Sequence, residues 1–137
     1  MTKFTETQPF PALAYGVLGL SAVVTAGARL AWPMLPLGLA FNLLCLRTVV
    51  TETEIAITFG ALLPLYRRRI ARADIVSSEA VTYSPLAEYG GWGIKWGRDG
   101  VALNARGNRG VRLTLRDGRR VLIGSQRPEE LAEALKP

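Results

Sequence analysis

The stretch Pro9–Leu46, PFPALAYGVLGLSAVVTAGARLAWPMLPLGLAFNLLCL, carries a single charge, Arg29, in an otherwise apolar run. Twenty-two uncharged residues separate Glu6 from Arg29, and 17 separate Arg29 from Arg47. A helix that crosses a bilayer needs roughly 20 apolar residues, with a range of about 17–25. Each half is therefore long enough. One helix over the whole stretch would measure about 57 Å at a rise of 1.5 Å per residue, far more than a hydrocarbon core of about 30 Å. The chain is expected to fold back near Gly27–Pro33. Gly27 suits the end of one helix and Pro33 the first turn of the next, with Arg29 and Trp32 at the membrane–water interface. This reading places a transmembrane helical hairpin over 9–47, with helices over about 10–28 and 31–47.

Small residues at Ala12, Gly16, Gly19, Ala22 and Ala26 give the first helix a face for close packing, against the second helix or another protein. Asn42 is the one strongly polar side chain deep in the second. Lys3 and Ala26-Gly27-Ala28 imitate the charged start and cleavage site of a secretory signal. The basic start is thin, and Leu30–Leu46 would hold the chain in a membrane even after cleavage. A buried, water-soluble hairpin is disfavoured because too little chain remains to cover two helices that are apolar on all sides.

The chain has 17 Lys and Arg against 11 Asp and Glu, and 15 of the basic residues lie from Arg47 onward. Enrichment of Lys and Arg on the cytoplasmic flank of spanning helices predicts a multi-pass protein of the cell inner membrane with both termini cytoplasmic. That rule absorbs the basic balance, so no nucleic-acid partner is expected. No helix-turn-helix, zinc-finger or RNA-recognition signature is present. Histidine is absent and Cys45 is the only cysteine. That removes the commonest general base and metal ligand, and no cofactor or metal is expected.

Outside the hairpin, residues 1–8 read as a short polar, disordered tail, and 48–137 as a cytoplasmic domain. In Thr48–Phe59, Ile55, Ile57 and Phe59 alternate with Glu54, Ala56 and Thr58, which predicts a strand. Leu65–Ile70 and Ile75–Tyr83 read as two more, the last ended by Ser84-Pro85. Turn signals at Arg98-Asp99-Gly100, Arg106–Gly110 and Asp117-Gly118 divide four further strands: Gly93–Gly97, Val101–Ala105, Val111–Arg116 and Arg119–Gly124. They are expected to form a meander. Pro128, followed by Glu129 and Glu130, suits the start of a C-terminal helix.

The fold class expected is an α+β membrane protein: a transmembrane helical hairpin, then a seven-stranded β-sandwich or partly open barrel with a C-terminal helix. The segments Tyr89-Gly-Gly-Trp-Gly-Ile-Lys, Gly110-Val-Arg-Leu-Thr-Leu-Arg-Asp-Gly and Ile123-Gly-Ser-Gln-Arg-Pro-Glu-Glu-Leu resemble bacterial membrane proteins that join a helical hairpin to a pleckstrin-homology-like domain. The similarity runs over roughly Val49 to Leu135. It implies the fold and a membrane context, and brings no catalytic residues; fold does not fix function.

Two constellations stand out. Arg67, Arg68, Arg69 and Arg72 are candidate contacts to anionic lipid headgroups, each basic residue near such a surface being worth about 1 kcal/mol. They would equally serve as topology determinants and a solvated strand edge. In Glu88–Gly97, Tyr89, Trp92 and Trp96 are candidate contacts to a partner or a membrane edge; the period of two in Trp92, Ile94 and Trp96 equally suits core packing. Ser125–Pro128 could hold an anion at a helix N-terminus or serve as a cap. Ser77, Ser78 and Glu79 lack a base nearby in sequence, so they do not make a nucleophilic site. The function expected is a non-enzymatic, membrane-anchored scaffold, an accessory subunit in contact with the bilayer and with a membrane-protein partner or further copies of itself. The alternative is a peripheral sensor of anionic lipid headgroups.

Overall fold

Phe4, Glu6 and Gln8 alternate with Lys3, Thr5 and Thr7, and this period of two carries the N-terminus into a sheet. Thr2–Gln8 forms strand β1, antiparallel to β2 (Leu46–Thr51), in a register that sets Gln8 opposite Leu46 and Thr5 opposite Val49. The computed structural model describes residues 1–9, 16, 19, 20, 23, 45–60, 63–97 and 100–136. With β3 (Glu54–Phe59) and β4 (Tyr66–Ala71), these strands make a four-stranded antiparallel sheet in chain order.

A 3-10 turn, Arg72–Asp74, leads into the second sheet. Its strands are β5 (Ile75–Thr82), β6 (Gly93–Gly97), β7 (Gly100–Asn104), β8 (Arg109–Leu115) and β9 (Arg120–Gly124), in the order β5-β8-β9-β7-β6. Helix α1 (Pro85–Tyr89) joins β5 to β6 and helix α2 (Pro128–Leu135) follows β9. The four C-terminal strands are not a simple meander. β8 and β9 form the hairpin that Asp117-Gly118 signals, but β9 then lies parallel to β7, pairing Val101 with Val121 and Leu103 with Ile123. All four of these side chains are buried in one core, and that shared burial favours the arrangement.

The core lies between the sheets. Leu46, Val50, Ile55 and Ile57 face it from one side, and Leu103, Val111, Leu113 and Ile123 from the other, each fully buried. Every such side chain contributes roughly 1.5–3 kcal/mol. Leu131 and Leu135 of α2 close the same core along the β1–β5 flank. A smaller cluster on the outer face of the second sheet packs Tyr83 and Tyr89 against Ala102 and Leu122.

Several expectations are corrected. Among the described residues no helix is long and apolar enough to cross a membrane, and the two helices with defined bounds are α1 and α2, of five and eight residues. This overturns the α+β membrane class with its transmembrane hairpin and seven-stranded domain, and the multi-pass placement in the inner membrane with cytoplasmic termini. Nine strands are described, not seven. The physical reason is visible where the apolar stretch ends. Cys45 and Leu46 are buried in the protein's own interior, and Arg47, expected as the basic end of a helix, is a strand residue opposite Thr7. Hydropathy registers that a residue avoids water, not what covers it. The rest of the expected helices, about 10–28 and 31–47, lies outside the described residues except Gly16, Gly19, Leu20 and Val23, which have helical backbone. Residues 2–8 are not a disordered tail; they are β1.

Candidate functional site

The alternation of β4 parts the four arginines. Tyr66, Arg68 and Ile70 are the more buried side, while Arg67, Arg69 and Ala71 are exposed. Arg72 leaves the strand. Its guanidinium donates to the carbonyls of Thr51 (3.3 Å), Ala134 (2.9 Å) and Lys136, binding the 3-10 turn to the end of α2. A cation there also complements the negative end of the helix dipole. Arg72 is thus a structural clamp. Arg69 faces Glu54 at 3.6 Å.

Arg68 and Arg69 instead line one wall of an open cleft of about 700 Å³. The other wall is the β8–β9 turn, which brings in Arg116 and Arg119. The amide of Arg116 donates to Asp74 O and its guanidinium to Ala73 O, both at 2.8 Å, so the 3-10 turn and the hairpin turn are stapled together. Asp117 folds the hairpin tip by accepting from the Arg119 amide (3.0 Å) and the Arg119 Nε (2.7 Å). Those hydrogen bonds hold the Asp117 carboxyl below its ordinary value, with a smaller contribution from the charge of Arg68. Tyr66, Ile70 and Leu115 give the cleft apolar surface. Four arginines face two aspartates, Asp74 and Asp117. Arg68 is half-buried and has no hydrogen bond or ion pair among the described residues.

The aromatic stretch is also parted. Ser84 caps α1 by accepting from the Ala87 amide (3.4 Å) while Glu88 accepts from the Ser84 amide (2.8 Å). Gly90, at φ 70°, ends the helix in the left-handed conformation that favours glycine. This short helix buries Tyr89, whose ring meets Tyr83 edge-on at 6.1 Å. The Tyr83 hydroxyl accepts from Asn104 Nδ2 (2.9 Å), and Asn104 Oδ1 accepts from the Gly93 amide (2.9 Å). Burial pushes the Tyr83 phenol up, with the Asn104 hydrogen bond opposing. Trp92 donates through Nε1 to Gly107 O at 3.0 Å. Trp96, opposite Val101 on β6, is 78 % exposed. Tyr89 is therefore core, Trp92, partly exposed, pins a loop, and Trp96 projects farthest into solvent, from an edge strand.

At the start of α2 the protein supplies its own anion. The buried Glu6 carboxylate accepts from Ser125 Oγ (2.6 Å), the Gln126 amide (3.0 Å) and Gln8 Nε2 (3.1 Å). No room for an external anion is left on those donors. Arg127 donates to Thr5 O (2.9 Å) and stacks over Phe4 at 4.8 Å. Ser78 donates to Ala132 O at 3.3 Å and so serves packing. Cys45 is buried, which pushes its thiol up.

Sequence reasoning missed Arg116 and Arg119. They lie more than 40 residues from β4, and the only local signal was an Arg-Asp-Gly-Arg turn. No protein-family model, curated protein or solved structure matches the chain.

Proposed function

We propose that the protein is a non-enzymatic interaction module that takes an extended segment of a partner protein along the free edge of β6. The observation that carries this reading is Trp96. A tryptophan 78 % exposed on a strand at the end of its sheet presents a large, nearly rigid apolar face beside a row of backbone donors and acceptors with no strand partner among the described residues. Strand addition uses such a row for affinity and side-chain contacts for specificity, and tryptophan is enriched among residues that dominate binding energy. Pairing β6 with a second copy over its full length would set Lys95 opposite Lys95, and like charges directly opposite destabilise a sheet. The occupant is therefore a different chain, with an acidic or apolar residue opposite Lys95. The absence of histidine fits recognition without a chemical step.

The test is gentle purification of the tagged full chain, identification of stoichiometric companions by mass, and cross-linking from Lys95. A companion cross-linked at Lys95 and lost in Trp96→Ala is the expected result. A companion that tolerates Trp96→Ala, or no companion at all, overturns the reading.

A further inference from the structure

We infer that the cleft between β4 and the β8–β9 turn binds a phosphate ester of a small hydroxylated molecule, with Arg68 as its anchoring cation. The inference stands apart from the reading of β6. A half-buried guanidinium that makes no hydrogen bond or ion pair among the described residues has donors open to a ligand, even with the Asp117 carboxylate near enough to feel its charge. Arg68 is in that position, and three further arginines line the same cleft. The planar fork of a guanidinium matches the oxygens of a phosphate. The cleft's volume, about 700 Å³, lies within the range of about 300–1,000 Å³ found for small-molecule sites.

The two aspartates narrow the class of ligand. Asp74 and Asp117 would repel a molecule that is anionic throughout. They would accept hydrogen bonds from hydroxyl groups. A phosphate at the arginines with a neutral, hydroxyl-bearing remainder satisfies both, and Tyr66, Ile70 and Leu115 provide apolar surface for its carbon skeleton. Arg119 is already engaged by Asp117, so a bound phosphate competes with that carboxylate. This fixes the sign of one substitution: Asp117→Asn should tighten binding.

The same chemistry occurs in soluble phosphate esters and in lipid headgroups. Calorimetric titration of the full chain with glycerol 3-phosphate tests the first source. Flotation with vesicles of phosphatidylglycerol, against vesicles of phosphatidylcholine, tests the second. Saturable binding in either arm is the expected result, and the arm that responds names the source. Arg68→Gln should weaken it roughly tenfold or more and Arg68→Lys less, since the charge survives but the fork does not. Arg67→Gln, at an exposed position that does not line the cleft, should leave it within about twofold, as a change outside the contact does. If circular dichroism shows that Arg68→Gln does not fold, the exposed Arg119→Gln carries the test, with a smaller but measurable loss of about threefold or more because Asp117 already engages that side chain. No saturable binding in either arm, equal loss in Arg67→Gln and Arg68→Gln, or weaker binding in Asp117→Asn overturns the inference.

Discussion

A Cβ added at Gly97 would lie 2.7 Å from Tyr89 Cδ1 and 2.9 Å from Glu88 O, so Gly97→Ala must displace the ring that α1 lays on the second sheet. We predict a loss of about 1–3 kcal/mol, the usual cost of overpacking, read from the urea midpoint, with a change in near-ultraviolet tyrosine circular dichroism. Asp117 gives the second prediction at this scale. Its folded-state pKa is lowered below the ordinary 3.8 by hydrogen bonds from Arg119. The native state therefore binds a proton less readily than the unfolded chain. The stability this contributes is present above about pH 4 and is lost as pH falls through the folded value. Because Asp117 is exposed, the effect is small and screened by salt. Asp117→Asn should lower the urea midpoint slightly at neutral pH, where the charged carboxylate stabilises the fold, and so flatten the acid limb; an acid limb as steep as that of the wild type would refute this. Gly97 stood out in the sequence only as one of several glycines around tryptophans. The ring beneath which it lies comes from a helix that Ser84, Pro85 and Gly90 mark in retrospect.

At the scale of elements, β1 and α2 hold one another through Glu6. Glu6→Gln keeps the size but replaces one accepting oxygen by a donor, so either the Gln126 amide, held by Oε1, or Ser125 Oγ and Gln8 Nε2, held by Oε2, lose their acceptor. Hydrogen bonds to a buried charged group are worth about 1.5–3 kcal/mol each. We predict a loss of about 2 kcal/mol or more in chemical denaturation, with earlier hydrogen exchange in β1 and the first turn of α2. Glu130→Gln, which removes an exposed ion pair with Arg127 at 3.0 Å, should cost less than about 1 kcal/mol; equal costs would contradict the assignment of Glu6 as the staple. β1 was illegible for a physical reason. Its buried side carries Phe4, Glu6 and Gln8, of which only Phe4 is apolar, so hydrophobic alternation is absent. The hydrogen bonds that make Glu6 and Gln8 suitable for burial come from residues more than 110 positions away. By contrast, β8 was legible, because Val111, Leu113 and Leu115 alternate with Arg112 and Thr114 and the neighbouring Gly118 adopts φ 83°.

Across the whole molecule, the two ends of the apolar stretch meet. Gln8 and Leu46 are paired in the sheet, so the chain leaves and re-enters the first sheet at adjacent positions. Antiparallel neighbours can be joined by a very short turn. Replacing residues 10–44 by a short Gly/Asn turn between Pro9 and Cys45 should therefore preserve both sheets. The expected outcome is an unchanged β-type far-ultraviolet spectrum and a cooperative thermal transition. A non-cooperative or unfolded chain would show that the stretch supplies part of the core. The arginine cleft belongs to this scale too, because its walls come from different sheets.

What the sequence by itself determined are the local properties: most strand positions, through side-chain alternation; the β8–β9 turn, through Asp117 and Gly118; and the start of α2, through Pro128. These follow from constraints within a few residues, set by backbone dihedrals and a period of two. Only the tertiary structure decided which strands pair, that β9 lies parallel to β7, that Glu6 occupies the start of α2, that Arg72 clamps a helix end, and that Arg68 meets Arg116 and Arg119. Each is a meeting of residues far apart in the chain. It is chosen by which arrangement buries the most apolar surface while leaving buried polar groups hydrogen-bonded, and no local pattern encodes that comparison.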